Sequence, residues 1–131
     1  MTQEATPRFL GADVARAVHD RQLAEHGGLA GVKDDGLLES AIARAVNRFN
    51  YGETDLCALA ACYAFGIARN HPFLDGNKRT AWVMARLFLD LNDVALAFDK
   101  TDAIRIMLAL AAGEIDEGAI ADWFRTHIVP A

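Results

Sequence analysis

Cysteine is scarce in this chain, positive charge is outweighed, and no hydrophobic run is long. The only two cysteines, Cys57 and Cys62, lie in one apolar segment. Their spacing fits no zinc-binding or thiol-redox motif. They read as small buried hydrophobes, in keeping with a reducing compartment. The longest apolar run, Leu56 to Ala68, falls short of the ~20 residues that a membrane span needs. Met1 to Leu10 lacks the basic and then apolar pattern of a secretory leader. The expectation is a cytoplasmic protein without a membrane partner. Thirteen Lys and Arg stand against 18 Asp and Glu, a net charge of −5. An acidic domain is poorly suited to tracking a nucleic-acid backbone, where neutralisation of phosphates by Lys and Arg dominates. Direct nucleic-acid binding is therefore not expected. Internal repeats, low-complexity segments and runs of β-branched residues are missing too.

What remains is 53% hydrophobic residues, rich in Ala and Leu, which points to helix. A length of 131 residues suits one domain, 1–131, with a single core. The first helix is expected over Ala12 to His26, with Val14, Val18 and Leu23 as a partial apolar stripe and Gly27-Gly28 as the stop. Asp34 or Asp35 caps a second helix carrying Leu37, Leu38, Ile42 and Val46. Thr54 caps a third, Asp55 to about Arg69, which is apolar nearly all round and so reads as the buried centre. Pro72 stops it, because the residue before proline avoids the α region. A fourth runs from Asn77 to Leu91 and is almost as apolar. Val94 to Phe98 reads as a short extended piece. Thr101 caps a fifth helix to Ala112, ended by Gly113, and Asp116 or Glu117 opens a sixth. The fold class expected is all-α, a bundle of about six helices around a central buried pair.

Between the two central helices stands His71-Pro72-Phe73-Leu74-Asp75-Gly76-Asn77-Lys78-Arg79-Thr80-Ala81. Gly76 immediately precedes the fourth helix, whose first N–H groups have no partner inside the helix. Those donors and the positive end of the helix dipole suit an anion. Glycine permits close approach and positive φ. Lys78 and Arg79 fall in the first turn, the unfavourable end for cations, which makes sense with an anion present. They also read as two solvated surface cations. A single carboxylate beside phosphate oxygens, here Asp75, is a usual way to hold Mg²⁺; alone, an Asp-Gly pair is a turn. Asn77 can cap the helix or donate to a phosphate. His71 sits at the other rim, and an imidazole suits a general base that takes a hydroxyl proton. Phe73 is expected to anchor the loop in the core. A surface turn has no need of all five polar types in this order.

This segment resembles the signature of the Fic/Doc superfamily, closest to its Doc branch, the death-on-curing toxins of toxin–antitoxin pairs. Gly27-Gly28-Leu29-Ala30-Gly31-Val32-Lys33-Asp34-Asp35-Gly36-Leu37-Leu38-Glu39-Ser40-Ala41 resembles the upstream Doc segment. Leu110-Ala111-Ala112-Gly113-Glu114-Ile115 resembles a C-terminal Doc element. The resemblance spans roughly residues 14–128. It implies that His71 activates a target hydroxyl and that Asp75 binds Mg²⁺. It also implies that Gly76 and Asn77 form an anion hole and that Lys78 and Arg79 hold the phosphates of ATP. Fic enzymes that transfer AMP usually have Gly where this chain has Lys78, and a second Arg where it has Trp82; Arg86 lies one turn further on. Both departures agree with Doc-like enzymes, which phosphorylate a protein hydroxyl and whose known target class is the translation factor EF-Tu. A lysine at position 78 would turn ATP so that the γ-phosphate faces His71.

Fic proteins often carry an inhibitory Ser/Thr-x-x-x-Glu motif. The single serine, Ser40, is followed four residues on by Arg44, and none of the six threonines has Glu at that distance. Restraint is therefore expected in trans, from an antitoxin whose C-terminal segment folds onto the toxin. The glycines from Gly27 to Gly31 read either as a helix stop or as a mobile flap that docks the target, with Lys33 and Asp34 as its test residues. Three functions are compatible with the chain. The first is a Mg-ATP-dependent kinase acting on Thr or Ser of a translation factor. The second is a protein adenylyltransferase. The third is a non-catalytic, antitoxin-binding regulatory module.

Overall fold

Among the described residues, 6–130 of this computed structural model, six helices follow one another. They are α1 (Ala12–His26), α2 (Asp35–Asn50), α3 (Leu56–Asn70), α4 (Asn77–Leu91), α5 (Lys100–Ala111) and α6 (Glu117–Thr126). The first five residues of the segment read for a leader lie outside them. No helix is long and apolar enough to cross a membrane.

The centre is α3. Eleven of its 15 residues are buried, on every face, so it is enclosed by α4, α2, α6 and α5. Small side chains make the enclosure possible. A Cβ on Gly66 would lie 2.9 Å from the Ala41 carbonyl oxygen and 3.1 Å from its Cα, so α2 crosses α3 in backbone contact. On the opposite side α4 packs Met84, Ala85, Phe88 and Leu89 inward. Tyr63 and Phe88 meet there with ring centroids 5.3 Å apart. The Tyr63 hydroxyl accepts from Leu10 N at 2.9 Å and donates to Leu10 O, pinning the segment ahead of α1. Burial pushes the Cys57 thiol up to about 11 and the Cys62 thiol up to about 12.

Carboxylates start three helices. Asp34 Oδ1 accepts from Leu37 N at 3.0 Å, and Asp116 Oδ1 accepts from Ala119 N at 2.9 Å. At α3 the cap is Asp55, not Thr54: Asp55 Oδ1 accepts from Cys57 N at 2.9 Å while its Oδ2 holds Arg125 of α6. Thr54, with one short hydroxyl, has no such second partner. At α5 the helix begins at Lys100, so Thr101 lies inside its first turn rather than capping it, and it ends at Ala111. The extended piece before it is present: Leu96 bridges Ile128 in antiparallel fashion, with Ala97 N donating to His127 O and Val129 N to Ala95 O. In α1 the stripe shifts by a residue. Val14, Val18 and Leu23 are half-buried, and the buried positions are Ala15 and His19.

Burial of this kind sets two expectations. Phe88→Ala should destabilise the domain by about 3–5 kcal/mol, whereas the exposed Leu108→Ala should cost within about 0.5 kcal/mol; urea unfolding of both variants checks this. Cys57 and Cys62 should resist a thiol reagent at pH 8 in the folded chain and react at once in urea, because burial keeps both protonated.

Candidate active site

The loop between α3 and α4 is built from the inside. α3 ends at His71, which takes the left-handed conformation (φ 49°, ψ 56°) and donates its N–H to Ile67 O. That conformation costs a non-glycine residue about 1–2 kcal/mol. The next residue restrains it: Pro72 O accepts from Lys33 N at 2.7 Å and from Asp34 N. Phe73 then plunges into the core, only 1% exposed, as expected.

Asn77 closes the loop. Its Oδ1 accepts from Phe73 N and its Nδ2 donates to Phe73 O, both at 3.0 Å. The amide, for which capping the helix and donating to a phosphate were the two expected roles, is here engaged by the loop backbone instead. Asn77 is buried and both ends of its side chain are engaged, because the loop backbone would otherwise leave a buried N–H and C=O unpaired. Asn77 can offer an anion only its backbone N–H. Gly76 holds the N-cap position with φ 74°, a conformation suited to glycine.

Three backbone N–H groups at the start of α4, those of Asn77, Lys78 and Arg79, have no acceptor among the described residues. The N–H of Gly76 is taken by Asp75 Oδ1 at 2.9 Å. Lys78 and Arg79 are exposed, and among the described residues neither forms an ion pair. These donors open onto a cleft of about 700 Å³, lined by His71, Asp75, Gly76, Asn77, Lys78 and Arg79. All six residues singled out from the sequence thus surround one space. Trp82, Val83, Phe98 and Met107 form its apolar wall, and Lys100 stands at its rim. The His71 side chain makes no hydrogen bond among the described residues. A second concavity, about 570 Å³, is lined by Arg44, Asn47, Arg48 and Tyr51. It contains none of the motif, and both its arginines already pair with Glu117.

The glycine-rich segment before α2 lies against the loop. Val32 and Phe73 form an antiparallel bridge, and Leu74 N donates to Gly31 O at 3.1 Å. The helix-stop reading holds at Gly27. Gly27 caps α1, donating to Leu23 O, while the residues beyond it cover one side of Asp75. Leu29 N donates to Asp75 Oδ2 at 3.3 Å, and a Cβ on Gly28 would lie 2.9 Å from the same oxygen. Lys33 is exposed; the Asp34 carboxylate is occupied as the α2 cap.

One residue of the site escaped the sequence. His19 in α1 is 2% exposed and its ring stacks on Phe73, centroids 3.9 Å apart and planes 9° from parallel. Its Nε2 lies 2.8 Å from the Asp75 carbonyl oxygen, an acceptor, so Nε2 carries the proton and donates. The available signal was its place on the Ala15–His19–Leu23 stripe, a polar residue on the inward face of a helix.

The acid set tests which metal could sit here. Among the described residues no group of three or more His, Cys, Asp and Glu could cage an ion, and Asp75 is the one acid lining the cleft. A single carboxylate fits Mg²⁺, which keeps its waters and leans on substrate phosphates, and not a structural zinc.

A family model described as Fic/DOC matches residues 9–89. The chain is 39% identical over 119 residues to the Protein kinase doc of Escherichia phage P1, covering 90% of this chain and 94% of that protein. It is 42% identical over 100 residues to the Toxin Doc of Mycolicibacterium smegmatis (strain ATCC 700084 / mc(2)155), covering 72% of this chain and 76% of that protein.

Removing the Asn77 amide should open the loop. Asn77→Ala leaves the Phe73 N–H and C=O unpaired, at a cost of about 1–3 kcal/mol. Hydrogen exchange should speed up at the Phe73 amide while amides in the middle of α3 keep their protection.

Proposed function

This chain belongs to the Fic/Doc family, and on that footing we propose that it is the toxin of a type II toxin–antitoxin pair, a Doc-type protein kinase. Its substrates would be Mg-ATP and a threonine or serine hydroxyl on a translation factor of the EF-Tu class, whose modification arrests translation. One observation carries the reading. Three backbone donors, two cations and one imidazole, all without partners among the described residues, line a single cleft with one carboxylate. The names of the two relatives support it, one a protein kinase and the other a toxin.

The chemistry divides among these groups. The N–H groups of Asn77, Lys78 and Arg79 receive phosphate oxygens at the positive end of the α4 dipole. The Lys78 and Arg79 side chains add charge there. Asp75 holds Mg²⁺, which when bound offsets phosphate charge. The target oxygen bonds to the γ-phosphorus as the bond from that phosphorus to the β–γ bridging oxygen breaks. ADP leaves and His71 takes the hydroxyl proton. The protein contributes position and charge, and no covalent intermediate is needed.

Two features favour phosphate over AMP transfer. Lys78 stands where AMP-transferring Fic enzymes usually have Gly. Their second Arg is replaced by Trp82, part of the apolar wall. Arg86 does not substitute for it, since its guanidinium lies over Phe98, 4.9 Å from the ring centroid, and 5.7 Å from that of Trp82. With no inhibitory Ser/Thr-x-x-x-Glu in the sequence, restraint comes from an antitoxin segment folding onto the toxin.

Incubation of EF-Tu with this protein, ATP and Mg²⁺, read by intact-mass spectrometry, tests the proposal. The expected result is a single phosphate-sized gain, abolished by His71→Ala and by Asp75→Ala, with both variants retaining the wild-type circular dichroism. An AMP-sized gain would move the chain to the adenylylating branch. Growth inhibition that survives His71→Ala would favour a non-catalytic, antitoxin-binding role.

A further inference from the structure

His19 has no role in the transfer chemistry, yet its polar side chain is buried against the motif loop, 2% exposed. Burying an imidazole is unfavourable unless its polar atoms are paired. A position that needed only volume would be filled by Leu or Phe. Here the ring is oriented twice over. Stacking on Phe73 sets its plane, and the 2.8 Å bond to the Asp75 carbonyl sets its direction within that plane. The ring also lies under the next residue: a Cβ on Gly76 would sit 3.8 Å from both His19 Cδ2 and Nε2.

The loop has few other restraints at this point. Phe73 is held by Asn77, and Leu74 N is held by Gly31 O. The Asp75 side chain bonds its neighbour Gly76 and, at 3.3 Å, Leu29 N. On the Asp75 backbone, the only hydrogen bond from another element among the described residues is the one from His19. A carboxylate that must meet a small, geometrically demanding cation depends on where its own peptide is held. Loss of a group that orients a metal ligand typically costs about 10–100-fold in metal affinity or activity.

We propose that His19 is a positioning residue: by donating to the Asp75 carbonyl from a ring locked on Phe73, it holds the Asp75 carboxylate where a divalent cation is bound. This rests on the reading of Asp75 as the metal-holding residue. It makes α1 part of the metal site through a residue that does not itself line the cleft.

The test compares the full chain with His19→Phe, which keeps the stack and removes the donor, and with His19→Gln, which gives up the stack and places an amide N–H near the former Nε2. Mn²⁺ is titrated by electron paramagnetic resonance in the presence of adenosine 5′-(β,γ-imido)triphosphate. Binding of the same nucleotide is measured in EDTA, and thermal unfolding of each chain is recorded. His19→Phe should weaken Mn²⁺ binding by about tenfold or more with metal-free nucleotide binding unchanged, and His19→Gln should recover most of that loss. Equal Mn²⁺ affinity in His19→Phe and wild type would overturn the proposal. So would a His19→Gln chain as impaired as His19→Phe, or a wild-type chain that binds no Mn²⁺. If His19→Phe does not fold, His19→Gln decides, since loss of Mn²⁺ affinity with the donor retained contradicts the role. A wild-type chain that binds Mn²⁺ and nucleotide but modifies no protein would sink the kinase reading and leave the comparison at His19 intact.

Discussion

The side-chain amide of Asn77 straddles the backbone of Phe73, and the site depends on that closure. Two 3.0 Å bonds to one residue fold the chain between α3 and α4 into a turn whose inside is buried and whose outside carries the polar groups. With the Phe73 ring in the core, His71 is thrown to one rim, and Gly76 begins α4 with its first donors pointing outward. The buried ring then serves as a platform for His19, which reaches the Asp75 carbonyl. Asn77, Phe73, His19 and Asp75 thus form one chain of contacts from the start of α4 through the core and back to the loop.

That loop is held by a frame that is rigid for a different reason. α3 is buried on all sides and studded with alanines, and Gly66 lets α2 touch its backbone. Such a helix cannot slide without losing contacts to four neighbours. Its end at Asn70 and the start of α4 are therefore fixed points. The chain accepts local electrostatic misfit at the second of these. Lys78 and Arg79 oppose the α4 dipole, and three N–H groups go without internal partners. Within an acidic chain of net charge −5, Lys78 and Arg79 stand together at one helix end without an ion-pair partner among the described residues.

Much of this was legible before any coordinates. α1 and α4 begin and end where periodicity, Gly27 and Gly76 place them, and the two most apolar segments became the central pair. The cluster from His71 to Arg79 lines one cleft because five of its six residues are consecutive and the sixth is held across a short, pinned turn. What escaped was decided by partners distant in sequence. Asp55 displaced Thr54 as a cap because Arg125 of α6 reaches it. Asn77 looked like a phosphate donor because its other option, the Phe73 backbone, exists only once the loop has closed. His19 belongs to no sequence motif, and its acceptor lies 56 residues away.

Backbone amide NMR of the ¹⁵N-labelled chain, titrated with ATP and Mg²⁺, asks most directly whether the start of α4 is where phosphate lands. The geometry predicts that the Asn77, Lys78 and Arg79 amides show the largest shifts, downfield as they gain an anionic acceptor, with Phe73 little moved because its bond to Asn77 persists. Shifts centred instead on Arg44, Asn47 and Arg48, with the α4 amides silent, would contradict it.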